Sequence, residues 1–197
     1  MRAGTDGGLS GMTLLRYWIN ASLDGFIADT EGRFDWSEPD AEVHAFYNEQ
    51  ERAIGTHLYG RRLYATMSYW ETAHEQPDQT PVEEEYGRIW RAADKVVFSR
   101  TLTEVGTART ELVRDLDAGD VARRKERADR DMSIGGAELA AVALRAGLVD
   151  EVGLVVHPVV VGGGTPALAP GLRLDLALDE ERRLPGGLVF LRYRVRH

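Results

Sequence analysis

Four short stretches of this chain combine residue types suited to holding a phosphate or moving a proton. Gly135 and Gly136 fall where a short apolar strand, Asp131 to Ile134, reads directly into a helix opening at Ala137. Glycines at such a junction let backbone approach a ligand closely, and the free N–H groups of a helix start favour an anion. Gly60-Arg61-Arg62 ends a strand and opens a helix with two guanidinium groups, which the helix dipole alone disfavours, so an anionic partner is implied. An exposed helix start paired to nearby acids is the competing reading of Arg61 and Arg62. Ser99-Arg100 follows the strand Lys95 to Ser99, and Asn20 to Ala28 leaves the first strand as a loop carrying Asp24.

Those positions require a scaffold, and the pattern supplies one. Leu14 to Ala21 reads as a strand, and Asp40 can cap a helix from Ala41 to Ile54. Thr56 to Tyr59 is a strand, Arg61 to Tyr69 a helix, Glu71 to Pro81 a polar loop, and Tyr86 to Ala93 a helix. Asp120 to Arg130 reads as a solvated charged helix. Ala137 to Ala146 is a helix that Gly147 closes, and Glu151 to Val161 and Val189 to Val195 are strands. Strands alternating with helices predict an α/β sheet with a mostly parallel centre. In such sheets ligands lie at the carboxyl ends of the strands, and all four stretches fall at one such edge.

Composition bounds the function. The chain has 197 residues, 43% hydrophobic and 28% charged, which suits one domain from residue 13 to 197. Residues 1–12 are Gly-rich and polar and read as a disordered lead-in, with Met12 an alternative start. A net charge of −8 argues against nucleic-acid binding. With no cysteine there are no disulfides, thiolate metal sites or cysteine nucleophiles, as expected of a cytoplasmic protein. No apolar run is long enough to span a membrane. His44, His57 and His74 are scattered without acid partners at ligand spacing, so no metal is expected, and no Gly-x-Ser-x-Gly elbow is present.

Ala21-Ser-Leu-Asp-Gly-Phe-Ile-Ala28, Tyr59-Gly-Arg-Arg62, Val97-Phe-Ser-Arg100, Ile134-Gly-Gly136 and Gly147-Leu-Val-Asp-Glu-Val152, followed by Pro158 and Gly162-Gly-Gly164, occur in this order. Together they resemble the dihydrofolate-reductase-like family, specifically the C-terminal reductase domain (RibD type) of bacterial riboflavin biosynthesis. The resemblance implies a sheet of about eight mostly parallel strands flanked by helices, with an antiparallel C-terminal strand. It implies an NADP-dependent oxidoreductase, homodimeric, acting on a small pyrimidine- or pterin-like heterocycle. NADPH would meet Asn20, Ile27 and Ala28 at the nicotinamide. Gly60, Arg61 and Arg62 would lie at the 2′-phosphate, and Ser99 and Arg100 at the adenine ribose. Ile134, Gly135, Gly136 and Ala137 would meet the pyrophosphate, where the family's glycine pair is often joined by a cis peptide.

On the substrate side the resemblance implies Asp40 or Asp24 as the carboxylate that orients substrate or supplies a proton through water, and Trp36 as an aromatic wall. The residues themselves keep blander readings open: Asp24-Gly25 as a turn, Asp40 as a helix cap, Trp36 as a plug at the core edge. His157 reads as a core histidine, and Gly162 to Gly164 as a bulge or loop. Leu63 departs from the hydroxyl residue that folate reductases carry at the pyrophosphate. The reaction most like the family's is reduction of 5-amino-6-(5-phosphoribosylamino)uracil; dihydrofolate reduction, or nucleotide binding without turnover, are the alternatives.

Overall fold

The computed structural model describes residues 13–197, so the expectation for residues 1–12 lies outside the described residues. Ten strands are present among the described residues. β1 (Leu15–Ser22), β3 (Ile54–Gly60), β4 (Asp94–Phe98), β5 (Thr110–Val113), β6 (Asp131–Gly135), β7 (Glu151–His157), β9 (Asp175–Arg183) and β10 (Val189–Arg196) form one sheet. Its order is β5-β4-β3-β6-β1-β7-β10-β9. All neighbours from β5 to β7 pair parallel, and β10 runs antiparallel between β7 and β9. β2 (Phe26–Ala28) and β8 (Thr165–Pro166) make a separate two-stranded ribbon. The helices are α1 (Ala41–Glu51), α2 (Arg61–Met67), α3 (Tyr69–Thr72), α4 (Pro81–Ala92), α5 (Ala118–Arg127) and α6 (Ala137–Arg145).

Side-chain alternation along each strand sends its two halves to different cores. Leu15, Tyr17, Leu58, Val96, Met132, Ile134 and Val152 pack on one face with Val121 of α5 and Ala140, Ala143 and Leu144 of α6. On the other face Val43 and Phe46 of α1 meet Val155 and Phe190. Trp90 of α4 meets Tyr59, Tyr64 and Val97 there as well.

Several boundaries differ from the sequence reading. α1 ends at Glu51, and Ile54 begins β3, so its apolar side chain serves the sheet rather than a last helical turn. Part of the Glu71 to Pro81 loop is helical, and α4 opens at Pro81 under a capping box in which Thr80 and Glu83 bond each other's backbone N–H. β7 ends at His157, where Pro158 removes a ladder donor. β5 and β9, the two outer strands, were not foreseen; β5 is four residues long, and β9 follows its Leu176-Ala177-Leu178 run with five charged residues.

Candidate functional site

Because β1, β3, β4 and β6 are mutually parallel, their carboxyl ends lie along one edge, and the four chemistry-bearing stretches converge there. At β6 the chain passes through Gly135 into Gly136, which starts α6 at φ 92° and ψ 118°, with no side-chain cap. The two glycines do different work. A Cβ on Gly135 would collide with Cδ2 of Leu63, so its missing side chain lets α2 pack down on β6. Gly136 has nothing within 4 Å of where a Cβ would stand and holds a positive φ, so its backbone faces open space. The bond between them is trans, since no cis peptide occurs among the described residues. This corrects the cis bond that the resemblance implied, and the turn is made instead by the positive φ of Gly136. Ile134 is 1% exposed in the α6-side core, leaving only its main chain for a ligand, and Ala137 is the first residue of α6.

One strand over, Gly60 starts α2 without a side-chain cap and without an acid in the first turn. Arg61 is exposed and makes no hydrogen bond or ion pair among the described residues. Arg62 lies 3.6 Å from Glu138 of α6, with both side chains more than 80% exposed, a contact worth little in water. At the end of β4, Ser99 is buried; its hydroxyl accepts from the N–H groups of Thr101 and Leu102 and so shapes the turn. Arg100 is exposed and paired to Asp115, through Nε at 2.6 Å.

The loop after β1 is tied down by Asp24. Its Oδ1 accepts from the Ser22 hydroxyl at 2.6 Å, and Oδ2 accepts from Gly162 N–H at 2.7 Å. The Ser22 hydroxyl, with the Gly162 and Val161 N–H groups, holds this carboxyl below its ordinary range. Asp24 is thereby a clasp between the loop and the Gly162–Gly164 segment and does not line the cleft described next. Ile27 and Ala28 belong to β2, and a Cβ on Gly164 would strike the Ala28 carbonyl, so that glycine permits the close crossing of the ribbon.

Between the start of α1, the carboxyl end of β7 and the turn before β10, the same edge opens into a cleft of about 340 Å³, lined among others by Trp36, Glu38, Asp40, Val43, His157 and Leu188. Asp40 caps α1: its Oδ1 accepts from the N–H groups of Glu42 and Val43 at 3.0 and 2.8 Å. Both bonds use Oδ1, so Oδ2 is left for a ligand. Trp36 meets His157 edge-on with ring centroids 5.3 Å apart. His157 is 4% exposed, and burial lowers its imidazole below the ordinary value, so it is neutral at pH 7. Its Nε2 lies 3.4 Å from Asn20 Oδ1, which also accepts from the Tyr47 hydroxyl at 2.7 Å. Burial raises that phenol, so Tyr47 stays a donor.

The structure thus brings Trp36 and Asp40 into one cleft with Asn20 behind its wall. Asp24, Arg61, Arg62, Ser99, Arg100 and the glycine pair stand elsewhere along the edge. Sequence reasoning missed Tyr47, Val43, Glu38 and Leu188, and gave His157 only a core role. Tyr47 and Val43 were legible, standing seven and three residues after Asp40 on one helical face; Leu188, from a loop between two late strands, gave no signal. Among the described residues no three His, Asp or Glu side chains are grouped to hold a metal ion, and no helix is long and apolar enough to cross a membrane.

The sequence matches the family model described as RibD C-terminal domain over residues 14–190. An uncharacterized Bacillus subtilis protein, YyaP, is 32% identical over 179 residues, which are 89% of this chain and 91% of that one. Among solved structures, a putative riboflavin biosynthesis protein from Shewanella superposes with TM-score 0.69 at 19% identity, covering 94% of this chain and all of the other. A pyrimidine reductase-like protein from Corynebacterium diphtheriae gives 0.67 at 15% identity, covering 94% and 92%. A bifunctional deaminase and 5-amino-6-(5-phosphoribosylamino)uracil reductase from Thermotoga maritima gives 0.64 at 14%, with 94% of this chain matching 57% of that one. At these identities the structures show a shared fold.

Proposed function

We propose that this chain, which belongs to the RibD C-terminal domain family, is a reductase that uses NADPH to reduce a C=N or C=O bond of a pyrimidine- or pterin-like heterocycle. The observation that carries the reading is the division of one sheet edge. The uncapped starts of α2 and α6 at Gly60 and Gly136, with the unpaired Arg61, stand over β3 and β6, and two strands away Trp36 and Asp40 line a ring-sized cleft. These residues fit the cofactor: the open backbone at Gly136 suits a pyrophosphate, and the unpaired Arg61 suits a 2′-phosphate.

NADPH, when bound, supplies the hydride. The chain's own residues do the rest. Arg61, assisted by Arg62, would grip the adenosine phosphate, with Ser99 and Arg100 beside the ribose, while Asn20, Ile27 and Ala28 wall the nicotinamide. Trp36 and Val43 would exclude water from the ring, and Oδ2 of Asp40 would accept a ring N–H or relay the accompanying proton through water. Asp24 would act by fixing the loop. Such a protein would work in the cytoplasm on a small molecule, as a homodimer if the analogy extends to assembly; sedimentation would check the last point.

Nucleotide binding without turnover is the second reading, favoured by Leu63 filling the hollow above Gly135. Titration by quenching of tryptophan fluorescence tests the cofactor. Micromolar NADPH binding is expected, with Arg61→Ala weakening NADPH by about tenfold to hundredfold and NADH by less than twofold. Equal losses for both cofactors remove the 2′-phosphate assignment. Binding without oxidation of NADPH by any pyrimidine or pterin selects the second reading.

A further inference from the structure

The charges along the ligand edge are segregated. The guanidinium groups of Arg61, Arg62 and Arg100 belong to the β3 and β4 ends. At the β7 end the acidic groups lining the cleft are the carboxylates of Glu38 and Asp40, and its imidazole, His157, is neutral. The cation on the adjoining loop, Arg33, is already answered by Asp29 at 3.0 Å and Glu31 at 3.0 Å. A phosphate ester seated here would meet two like charges; a ring N–H or amino group would meet two acceptors.

We infer that the cleft between α1 and the end of β7 admits an uncharged heterocycle and disfavours substrates carrying a phosphate, with Glu38 and Asp40 setting that preference. The inference rests on the reductase reading for the kind of ring, but not for the charge preference. It narrows that reading, because the reaction named for the Thermotoga neighbour acts on a phosphorylated compound. Asp40 has a structural duty as cap of α1, whereas Glu38 is exposed and its side chain makes no hydrogen bond among the described residues. Glu38 is therefore the residue to reverse without harming the fold.

Calorimetric titration of the full chain, with and without saturating NADP⁺, would compare two matched pairs. These are 6-hydroxymethyl-7,8-dihydropterin against its monophosphate, and 5-aminouridine against its 5′-phosphate. The uncharged member of at least one pair is expected to bind at least tenfold tighter than its phosphate, and Glu38→Lys is expected to close most of that gap at low salt. The inference is overturned if the phosphate binds as tightly as its parent, if Glu38→Lys leaves the ratio unchanged, or if neither pair binds. A charge preference that persists while NADP⁺ fails to bind would instead overturn the reductase reading and leave this inference standing.

Discussion

On the face beneath α1 and α4, Lys95, His57, Ser133, Arg16 and Glu151 stand in register across β4, β3, β6, β1 and β7 near the amino ends of those strands. Arg16 is salt-bridged to Asp131 and lies 3.6 Å from Glu151, the His57 ring meets the Ser133 hydroxyl at 2.7 Å, and Lys95 sits over the Trp90 ring at 4.3 Å. At the carboxyl ends of the same strands, α2 and α6 start at Gly60 and Gly136 with no side-chain cap, and Arg61 makes no ion pair among the described residues. One end pairs most of its polar groups with one another, though buried Arg16 Nε, His57 Nε2 and the neighbouring Glu51 Oε2 lack a hydrogen bond, and the other leaves its cations and helix starts facing open space. Stability and binding should therefore be separable by mutation.

The largest effect should come from the closed end. Arg16→Met would leave Glu151, 5% exposed, short of its nearest cation and is expected to cost about 3 kcal/mol in urea unfolding. NADPH affinity of the folded protein should stay within twofold, and a tenfold loss would break the separation. Next comes Gly136→Ala, which forces an L side chain to φ 92° and should cost about 2 kcal/mol while also weakening NADPH. Gly135→Ala should destabilise as well, but Leu63→Ala should rescue that variant and do nothing for Gly136→Ala.

The smallest effect is pH-dependent. Burial raises the Glu51 carboxyl to about 7, so the folded state holds a proton that the unfolded chain releases near its ordinary value of 4.5. Stability contributed by that proton falls as pH rises through this window. Glu51→Gln is expected to gain about 1 kcal/mol at pH 8 and nothing at pH 4.5, since the side chain keeps a quarter of its surface exposed. His57 runs the other way. Burial holds its imidazole down to about 3, so its neutral form favours the fold above 6.5 and that contribution is lost as pH falls. A Glu51→Gln curve parallel to the parent's from pH 4 to 8 would remove Glu51 from the closed end's energetics.

The open end was far more legible in sequence than the closed one. Glycines and arginines at strand ends announce themselves because their backbone and charge requirements are local: Gly136 needs a positive φ, and Arg61 stands in a helix's first turn. The closed row is set by register between strands up to 135 residues apart, which no local pattern encodes. His57 accordingly read as a scattered histidine, although it faces Ser133. The cleft fell between these cases. Asp40 and Trp36 were found through the loop that carries them, while the far wall at Leu188 depends on how β9 and β10 return to the sheet. β9 itself was hidden because an outer strand need not alternate cleanly when much of it faces water.

The place of β1 in the sheet order has a consequence for the chain's biosynthesis. Among the described residues it is the first strand made, yet its partners are β6 on one side and β7 on the other, with Leu15 opposite Met132 and Arg16 opposite Glu151. At ordinary elongation speeds the ribosome needs roughly 6 to 27 s to deliver those partners, and for that time both edges of an aromatic, β-branched segment stand unpaired. The native sheet cannot close around β1 until β6 and β7 have emerged. Nascent chains of this protein should therefore lean on chaperones, and refolding should be slow for a domain of this length.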